Sequence, residues 1–190
     1  MIDGLREPLE DKVISVSRAR GSVQFPANFV LVAAMNPNRE RGEGRVSELD
    51  RERLKKKISG PVVDRIDLWI EVAHVEHDLL RVRSHEEAPK ESAAARTRIA
   101  TARRVQHERY KSTTKTNSDM HVRDIDVYAC LSDASEQILA TSAEKLKLSP
   151  RSYHRTIKLA RTIADLAGSE GVEQEHILEA LTYRPKGLFE

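Results

Sequence analysis

Residues 29–37 read Phe-Val-Leu-Val-Ala-Ala-Met-Asn-Pro, a continuous apolar run that ends in an amide and a proline. Runs of this kind are typical of strands that are buried on both faces, as in a parallel sheet. Pro37 has no amide hydrogen to donate to a ladder, so the predicted strand ends at Asn36. Ligands of open α/β sheets bind at the carboxyl ends of the strands. The stretch therefore predicts a sheet-containing domain with Asn36 at its ligand-binding edge.

A β-hairpin is predicted immediately before this strand. Residues 13–26 alternate between apolar and polar side chains on either side of a central Arg-Ala-Arg-Gly. Gly21 can adopt the positive φ that a tight turn requires. The alternation therefore predicts a hairpin whose tip carries Arg18 and Arg20.

Three further features are predicted in residues 38–72, which follow the strand at 29–35. Residues 38–57 are highly charged and are interpreted as a loop. Residues 58–65 predict one helical turn with Pro61 at its start, where a missing amide hydrogen costs nothing. Residues 67–72 predict a second strand. Two strands joined in this way indicate a sheet covered by helices.

The sequence from about residue 86 onward is typical of helices. Residues 92–110 are rich in Ala and Arg, and Ala95, Ile99 and Ala102 are predicted to share the packed face. A loop is predicted at 117–122. Three more helices are predicted: one that starts at Ser132 or Asp133, one that starts at Ser149-Pro150 and ends at Gly168, and one at 173–183.

Composition excludes several classes of protein. The 32 basic and 30 acidic residues give a net charge of +2, so a nucleic-acid surface requires local clustering of the basic side chains. Cys130 is the single cysteine, which excludes an intrachain disulfide and a cysteine-rich zinc site; it is predicted to be buried at a helix end. No apolar run approaches the roughly 20 residues that span a bilayer. We therefore expect a cytoplasmic protein with no membrane partner.

Five separated blocks of sequence carry a resemblance to a known family. They are 5–11 (LREPLED), 17–21 (SRARG), 33–37 (AAMNP), 58–67 (ISGPVVDRID) and 160–169 (ARTIADLAGS). In this order they resemble the C-terminal part of AAA+ ATPases of the magnesium-chelatase-like family. The resemblance covers nearly the whole chain and is closer to the ComM/YifB-like branch than to the true chelatase ATPase subunit.

The resemblance implies a fold, cofactors and an assembly. The implied fold is an α/β remnant, the C-terminal part of an AAA+ core with a β-hairpin, followed by an all-α helical lid. The implied domains are residues 1–75 for the core remnant, 76–122 for a linker and basic helix, and 123–190 for the lid. The intact protein would use ATP and Mg²⁺ and form a homo-oligomeric ring, a hexamer, coupled to DNA remodelling or to metal insertion.

Two catalytic roles in the first half are implied by the resemblance. Asn36 would be the sensor-1 residue that hydrogen-bonds the attacking water or the γ-phosphate; from the residues alone it is also a turn residue before Pro37. Arg65 would be the arginine finger that neutralises charge on the transferring phosphoryl group. The alternative for Arg65 is a surface ion pair with Asp64 or Asp67.

Arg151 is implied to be the sensor-2 residue, which reaches nucleotide bound between core and lid. Arg155, one helical turn later, is the second candidate for the same role. For Arg151 the alternative is a solvated charge.

The arginines at the hairpin tip are implied to contact nucleic acid. Arg18 and Arg20 suit sequence-independent contacts with DNA phosphates, and the alternative is a solvated turn. The arginines of 92–110 either form a solvated helix face or extend such a surface. A rival function follows from these residues: a non-catalytic module that binds DNA or a partner.

Two motifs of the family are missing from these 190 residues. No Gly-x-x-x-x-Gly-Lys-Ser/Thr occurs, and no apolar strand ends in Asp-Glu. In the family the corresponding Walker A and Walker B motifs lie upstream of the position that matches Met1. We therefore expect a fragment or truncated product that does not hydrolyse ATP alone. Residues 38–45 also lack the cysteines of many ComM-like proteins, so no metal site is predicted there.

Overall fold

The structure, a computed structural model, describes the backbone of residues 2–35, 52, 58–72 and 87–185, and the side chains of these ranges apart from 87–90. The strands are β1 (Val13–Arg18) and β2 (Gly21–Pro26). The α-helices are α1 (Arg6–Asp11), α2 (Gly60–Val63), α3 (Glu87–Tyr110), α4 (Val122–Tyr128), α5 (Asp133–Lys145), α6 (Pro150–Ala167) and α7 (Gln174–Thr182). Short 3₁₀ helices lie at Ile2–Leu5 and Asn117–Asp119. The chain divides into two compact units, one built mainly from residues up to Ile66 and the other from Asp67–Arg184.

The predicted hairpin is confirmed. Strands β1 and β2 pair antiparallel with Ile14 opposite Phe25 and Val16 opposite Val23. Gly21 has φ +144°, a backbone conformation that residues other than glycine rarely adopt. The four apolar side chains share one face because successive residues of a strand point to opposite sides. Within the described residues that face stays open to solvent; Phe25, for example, is 51% exposed.

The strands predicted at 29–35 and 67–72 are wrong for the residues that the structure describes. Residues 27–35 and 67–72 have no regular secondary structure and no ladder, and Val30 and Val32 are each 88% exposed. An apolar run becomes a strand only where a neighbouring strand accepts its hydrogen bonds, and the sheet of the described ranges contains β1 and β2 alone. The parallel sheet of the predicted α/β class is therefore replaced here by one antiparallel hairpin.

Several helix signals are confirmed by the structure. The Ser149 hydroxyl caps α6 by accepting the Ser152 amide at 3.1 Å, and Ser132 caps α5 in the same way. Gly168 ends α6 with φ +76°. The predicted turn at 58–65 contains α2, with proline in its first positions. Capping groups act within three or four residues, which is why these boundaries are readable from sequence.

The core of the second unit surrounds α6. Apolar side chains of four helices, α4 to α7, and of the segments between them meet there, and those with no exposure are Ala129, Leu139, Ala160, Ala164, Val172, Ile177 and Ala180. A parallel bridge between Leu131 and Val172 joins the start of α5 to the start of α7.

Three helical details differ from the prediction. Residues 122–128 form α4, which the sequence analysis did not recognise. Ile99, predicted to pack, is 54% exposed, whereas Ala102 on the same helix is 3% exposed. Cys130 is exposed with φ +50°, so its predicted burial is wrong. This residue follows α4 in a left-handed conformation, and its thiol contacts the Val127 carbonyl oxygen.

Candidate functional site

Arg65 lies directly after α2 in the first unit. Pro61 fixes the start of this helix, and Val62 and Val63 are 1% and 7% exposed, so the helix is held by burial of its last two residues. The Arg65 amide donates to the Val62 carbonyl at 3.0 Å, which continues the turn beyond the helix. The backbone of Arg65 is therefore anchored by packing.

The guanidinium of Arg65 is held by two oxygens. Its Nη2 lies 2.5 Å from Glu10 Oε2, and its Nη1 donates to the Pro61 carbonyl at 2.6 Å. The side chain is 15% exposed. The ion pair crosses 55 residues of sequence to the end of α1, whereas the sequence alternatives named the nearby Asp64 and Asp67.

A second set of contacts holds α1 and α2 side by side. Arg6 Nη2 donates to Ser59 Oγ at 2.9 Å, and Ser59 Oγ donates to Asp3 Oδ1 at 2.5 Å. The Ser59 hydroxyl lowers the pKa of Asp3. The blocks 5–11 and 58–67, which are far apart in sequence, therefore form one site around Arg65.

Arg151 and Arg155 lie in the first two turns of α6, in the second unit. Arg155 forms an ion pair with the Asp67 carboxylate. Burial, and then the positive charge of Arg155, lower the pKa of Arg151. The first turn of α6 contains no acidic residue. Two cations therefore sit at the positive end of a helix dipole, where an anion would be stabilised.

A buried polar cluster, which the sequence analysis missed, lies between α3 and α6. The carboxylate of Asp165 has no exposure and accepts hydrogen bonds from Arg109 at 2.5 and 2.8 Å, from Asn117 at 2.8 Å and from Arg161 at 3.1 Å. Gln106 adds a contact at 3.3 Å. Burial alone would raise the pKa of Asp165, but the hydrogen bonds from Arg109 and Asn117 and the charge of Arg161 hold it below the ordinary value of an aspartate.

Arg161 extends this cluster to the loop that follows α6. Its guanidinium donates to the Ser169 and Glu170 carbonyls at 2.7 Å each, and its side chain is 1% exposed. Asp165 and Arg161 belong to the block 160–169, so that block builds the interior of the second unit. A charged pair spaced i, i+4 within the apolar stripe of α6 was the sequence signal that could have revealed it.

The other residues with predicted roles lie at the hairpin tip, in the two units or outside the described ranges. Arg18 ends β1 opposite Gly21, and Arg20 lies in the turn; both are exposed at the hairpin tip. Asn36 lies outside the described residues. Arg65 falls in the first unit, Arg151 and Arg155 in the second. The described residues contain no group of His, Cys, Asp and Glu side chains suited to a metal ion, and none of their helices is long and apolar enough to cross a membrane.

Comparison with known proteins matches both parts of the chain to one family. Residues 1–80 match the family model of the magnesium chelatase subunit ChlI, and residues 89–184 match the model of the C-terminal part of that subunit. The competence protein ComM of Haemophilus influenzae is 38% identical over 188 residues, which cover 97% of this chain and 36% of that protein.

Two other relatives are similar over the same extent. The uncharacterized protein YifB of Salmonella typhimurium is 34% identical over 96% of this chain and 36% of its own length. An uncharacterized protein of Mycobacterium tuberculosis is 30% identical over 98% of this chain and 37% of its own length. The chain therefore spans a little over a third of the relatives it matches.

Both family models describe the magnesium chelatase ChlI subunit, so these matches assign the chain to the magnesium-chelatase class of proteins. More narrowly, the chain belongs to the magnesium chelatase ChlI-subunit family, with its ComM and YifB relatives. The resemblance stated from the five sequence blocks is confirmed.

Proposed function

We propose that this chain supplies nucleotide-sensing residues to an AAA+ ATPase whose ATP and Mg²⁺ are held between the subunits of a ring, a hexamer. Asn36 acts as sensor 1, Arg65 as the arginine finger and Arg151 as sensor 2. The second unit acts as the lid. The motor is coupled to DNA remodelling, and Arg18 and Arg20 face the DNA.

The observation that carries this proposal is the start of α6. Arginines in the first turns oppose the helix dipole; the first turn itself contains no acidic residue, and Arg155 in the second turn is paired with Asp67. Residues that conflict with local stability are common at functional sites. A bound triphosphate would relieve the conflict by placing negative charge at the helix start.

The geometry also ranks the two sensor-2 candidates. Arg155 has its guanidinium on Asp67, and its side chain is 16% exposed. Arg151 precedes it in the first turn, and burial together with the Arg155 charge destabilises its cationic form. Arg151 lies one turn closer to the helix start, where an anion is stabilised, and this position favours Arg151 over Arg155.

A chimera tests the catalytic roles. This chain would replace the matching 188 residues of the Haemophilus competence protein, which would supply the upstream Walker motifs that the family resemblance implies. We expect Arg65→Ala to lower kcat by about 100-fold and to leave ATP affinity nearly unchanged, because a finger stabilises charge that develops in the transition state. Arg65→Lys should rescue poorly, since an ammonium lacks the planar fork.

The matched control is Arg123→Ala, which removes an exposed arginine of α4. It should keep the parental kcat. Arg151→Ala should weaken ATP binding and hydrolysis together, as measured by a fluorescent ATP analogue and phosphate release. Parental activity in both Arg65→Ala and Arg151→Ala would refute the proposed roles.

A mixing experiment tests whether Arg65 acts on the neighbouring subunit. Subunits with Arg65→Ala would be combined with subunits whose Walker A lysine is replaced. Some interfaces of mixed rings then contain two functional elements, so activity should partly return. Mixed rings that form but never exceed both inactive parents would exclude action in trans.

A second candidate function, a non-catalytic module that binds DNA, is favoured by one feature of α3. Residues 91–101 are all exposed, and they continue into the exposed Arg103 and Arg104. With Arg96 and Arg98, these side chains are spread over about 12 Å of helix at 1.5 Å per residue. Arg96, Arg103 and Arg104 lie on one side of the helix and Arg98 on the opposite side, so the first three suit phosphate contacts without base readout.

Salt-dependent binding of the chain to fluorescein-labelled duplex DNA tests this candidate. Each lost phosphate contact should lower the slope of log K against log salt by about 1. Arg96→Glu with Arg104→Glu should reduce the slope if α3 binds, and Arg18→Glu with Arg20→Glu should do so if the hairpin tip binds. Arg123→Glu serves as the control. Absence of binding at low salt would refute both locations.

A further inference from the structure

Glu10 is the residue through which α1 contacts the arginine of α2. It lies in the last turn of α1, and its Oε2 is 2.5 Å from Arg65 Nη2. The Pro61 carbonyl oxygen accepts a hydrogen bond from the other terminal nitrogen of Arg65, Nη1, at 2.6 Å. The two oxygens therefore hold both ends of the guanidinium fork.

We propose that Glu10 is a positioning residue that presents the Arg65 guanidinium to nucleotide. This inference rests on the proposed function of Arg65. Arginine has four rotatable side-chain bonds, and an unrestrained arginine must lose that freedom whenever it engages a phosphate. An arginine that is already oriented loses less conformational entropy on binding phosphate. More of its interaction energy is therefore available to stabilise the transition state.

The position of Glu10 is itself set by contacts on α1. Arg6 and Asp3 both reach the hydroxyl of Ser59, the residue that precedes α2. Pro8, in the middle of α1, is buried. Movement of the Glu10 backbone away from Arg65 would require these contacts to break, so α1 holds the base of the Glu10 side chain in place.

The same contact could instead restrain Arg65, and the two roles predict opposite signs. A restraining carboxylate would compete with phosphate, so its removal would raise kcat. A positioning carboxylate keeps the Arg65 guanidinium oriented toward phosphate, so its removal would lower kcat. We favour positioning because Pro61 and Glu10 lie in the same unit as Arg65. Their contacts therefore keep the guanidinium in one orientation relative to that unit.

The test compares kcat and ATP affinity in the chimera described above. Glu10→Ala should lower kcat about tenfold, with nearly unchanged ATP affinity and thermal midpoint, since Glu10 is 37% exposed. Glu10→Gln should recover part of the loss, because its amide oxygen accepts the same hydrogen bond. The matched control is Glu7→Ala, also on α1, whose carboxylate accepts from Ser15 Oγ on β1.

A double variant separates positioning from a structural role. If Glu10 acts only through Arg65, Glu10→Ala should cause no further loss in an Arg65→Ala background. Further loss in that background, or an equal loss in Glu7→Ala, would overturn the positioning role.

The outcomes also distinguish this inference from the proposed function. An inactive Arg65→Ala variant together with parental or raised kcat in Glu10→Ala overturns only the positioning role. Parental kcat in Arg65→Ala overturns the proposed function and the positioning role with it.

Discussion

At the residue scale, Asp165 is a buried carboxylate whose ion pairs and hydrogen bonds form part of the interior of the second unit. Its carboxylate is buried with Arg161, and Arg109 and Asn117 complete its hydrogen bonds. A buried ion pair contributes to stability only when its partners are satisfied, and removal of one partner leaves an uncompensated charge. We therefore regard the block 160–169 as structural, in contrast to Arg65 and Arg151.

Replacement of this carboxylate should be strongly destabilising. Asp165→Asn leaves Arg161 buried without its counter-charge, and we expect a loss of about 3–5 kcal/mol in the free energy of unfolding. Urea unfolding followed by far-UV circular dichroism measures it. Asp126→Asn, on the exposed face of α4, should change stability by less than about 0.5 kcal/mol. Equal effects of the two variants would contradict the role of the cluster.

The same group predicts the acid dependence of stability. The folded state holds the pKa of Asp165 below its ordinary value, so the unfolded chain takes up the proton first as the pH falls. Its contribution is therefore complete above about pH 4 and is lost as the pH drops through the folded pKa. The pKa values of Asp3 and Asp124 are also lowered and add to the slope. Urea midpoints between pH 3 and 6 should fall less steeply in Asp165→Asn than in the parent.

At the scale of elements, α6 is defined by its two ends. Ser149 caps the start, and Gly168 ends the helix at φ +76°, with open space where a side chain would lie. The cost of a side chain at that position is therefore conformational and not steric. Both signals are local, which explains why the sequence located this helix correctly.

The C-cap of α6 can be tested with two substitutions. Gly168→Ala should lower the free energy of unfolding by about 1 kcal/mol, because alanine disfavours the left-handed conformation. Gly168→Asn should lose less, since asparagine visits that region more readily. Thermal unfolding of the two variants gives the comparison; an alanine variant as stable as the parent would show that the helix end does not need this geometry.

At the scale of the whole molecule, the C-terminal half of α3 belongs with the second unit. Gln106 and Arg109 contact Asp165 of α6, whereas residues 91–101 of the same helix are exposed. The division at 75 and 122 stays a prediction. The contacts indicate that a stable fragment must include the end of α3, and not only residues 120–184.

Limited trypsin digestion of the chain tests this boundary. Cleavage should occur first at Arg96 and Arg98, which are exposed, and the surviving core should begin near Ala102 and extend to about Arg184. Burial of Arg109 with Asp165 protects that site. A core that begins after Lys111, identified by mass spectrometry, would show that α3 is dispensable. Survival of the hairpin half alone would refute the assignment of the stable unit.

The sequence by itself determined the features whose signals lie within a few residues. The hairpin, the caps at Ser132 and Ser149, the stop at Gly168 and the family blocks were all readable, because turns and caps depend on neighbouring backbone groups. The family match also followed from sequence, since its five blocks keep their order along the chain. The positions of Arg18 and Arg20 at the hairpin tip belong to the same group.

Only the tertiary structure decided which distant residues meet. Glu10 reaches Arg65 across 55 residues, and Arg109 reaches Asp165 across 56, and neither pairing leaves a periodic pattern in the sequence. Residues 29–35 show the reverse case: their composition is that of a strand, yet the described structure gives them no ladder. A strand or a buried charge is stabilised by its partner, and the fold determines whether that partner is present.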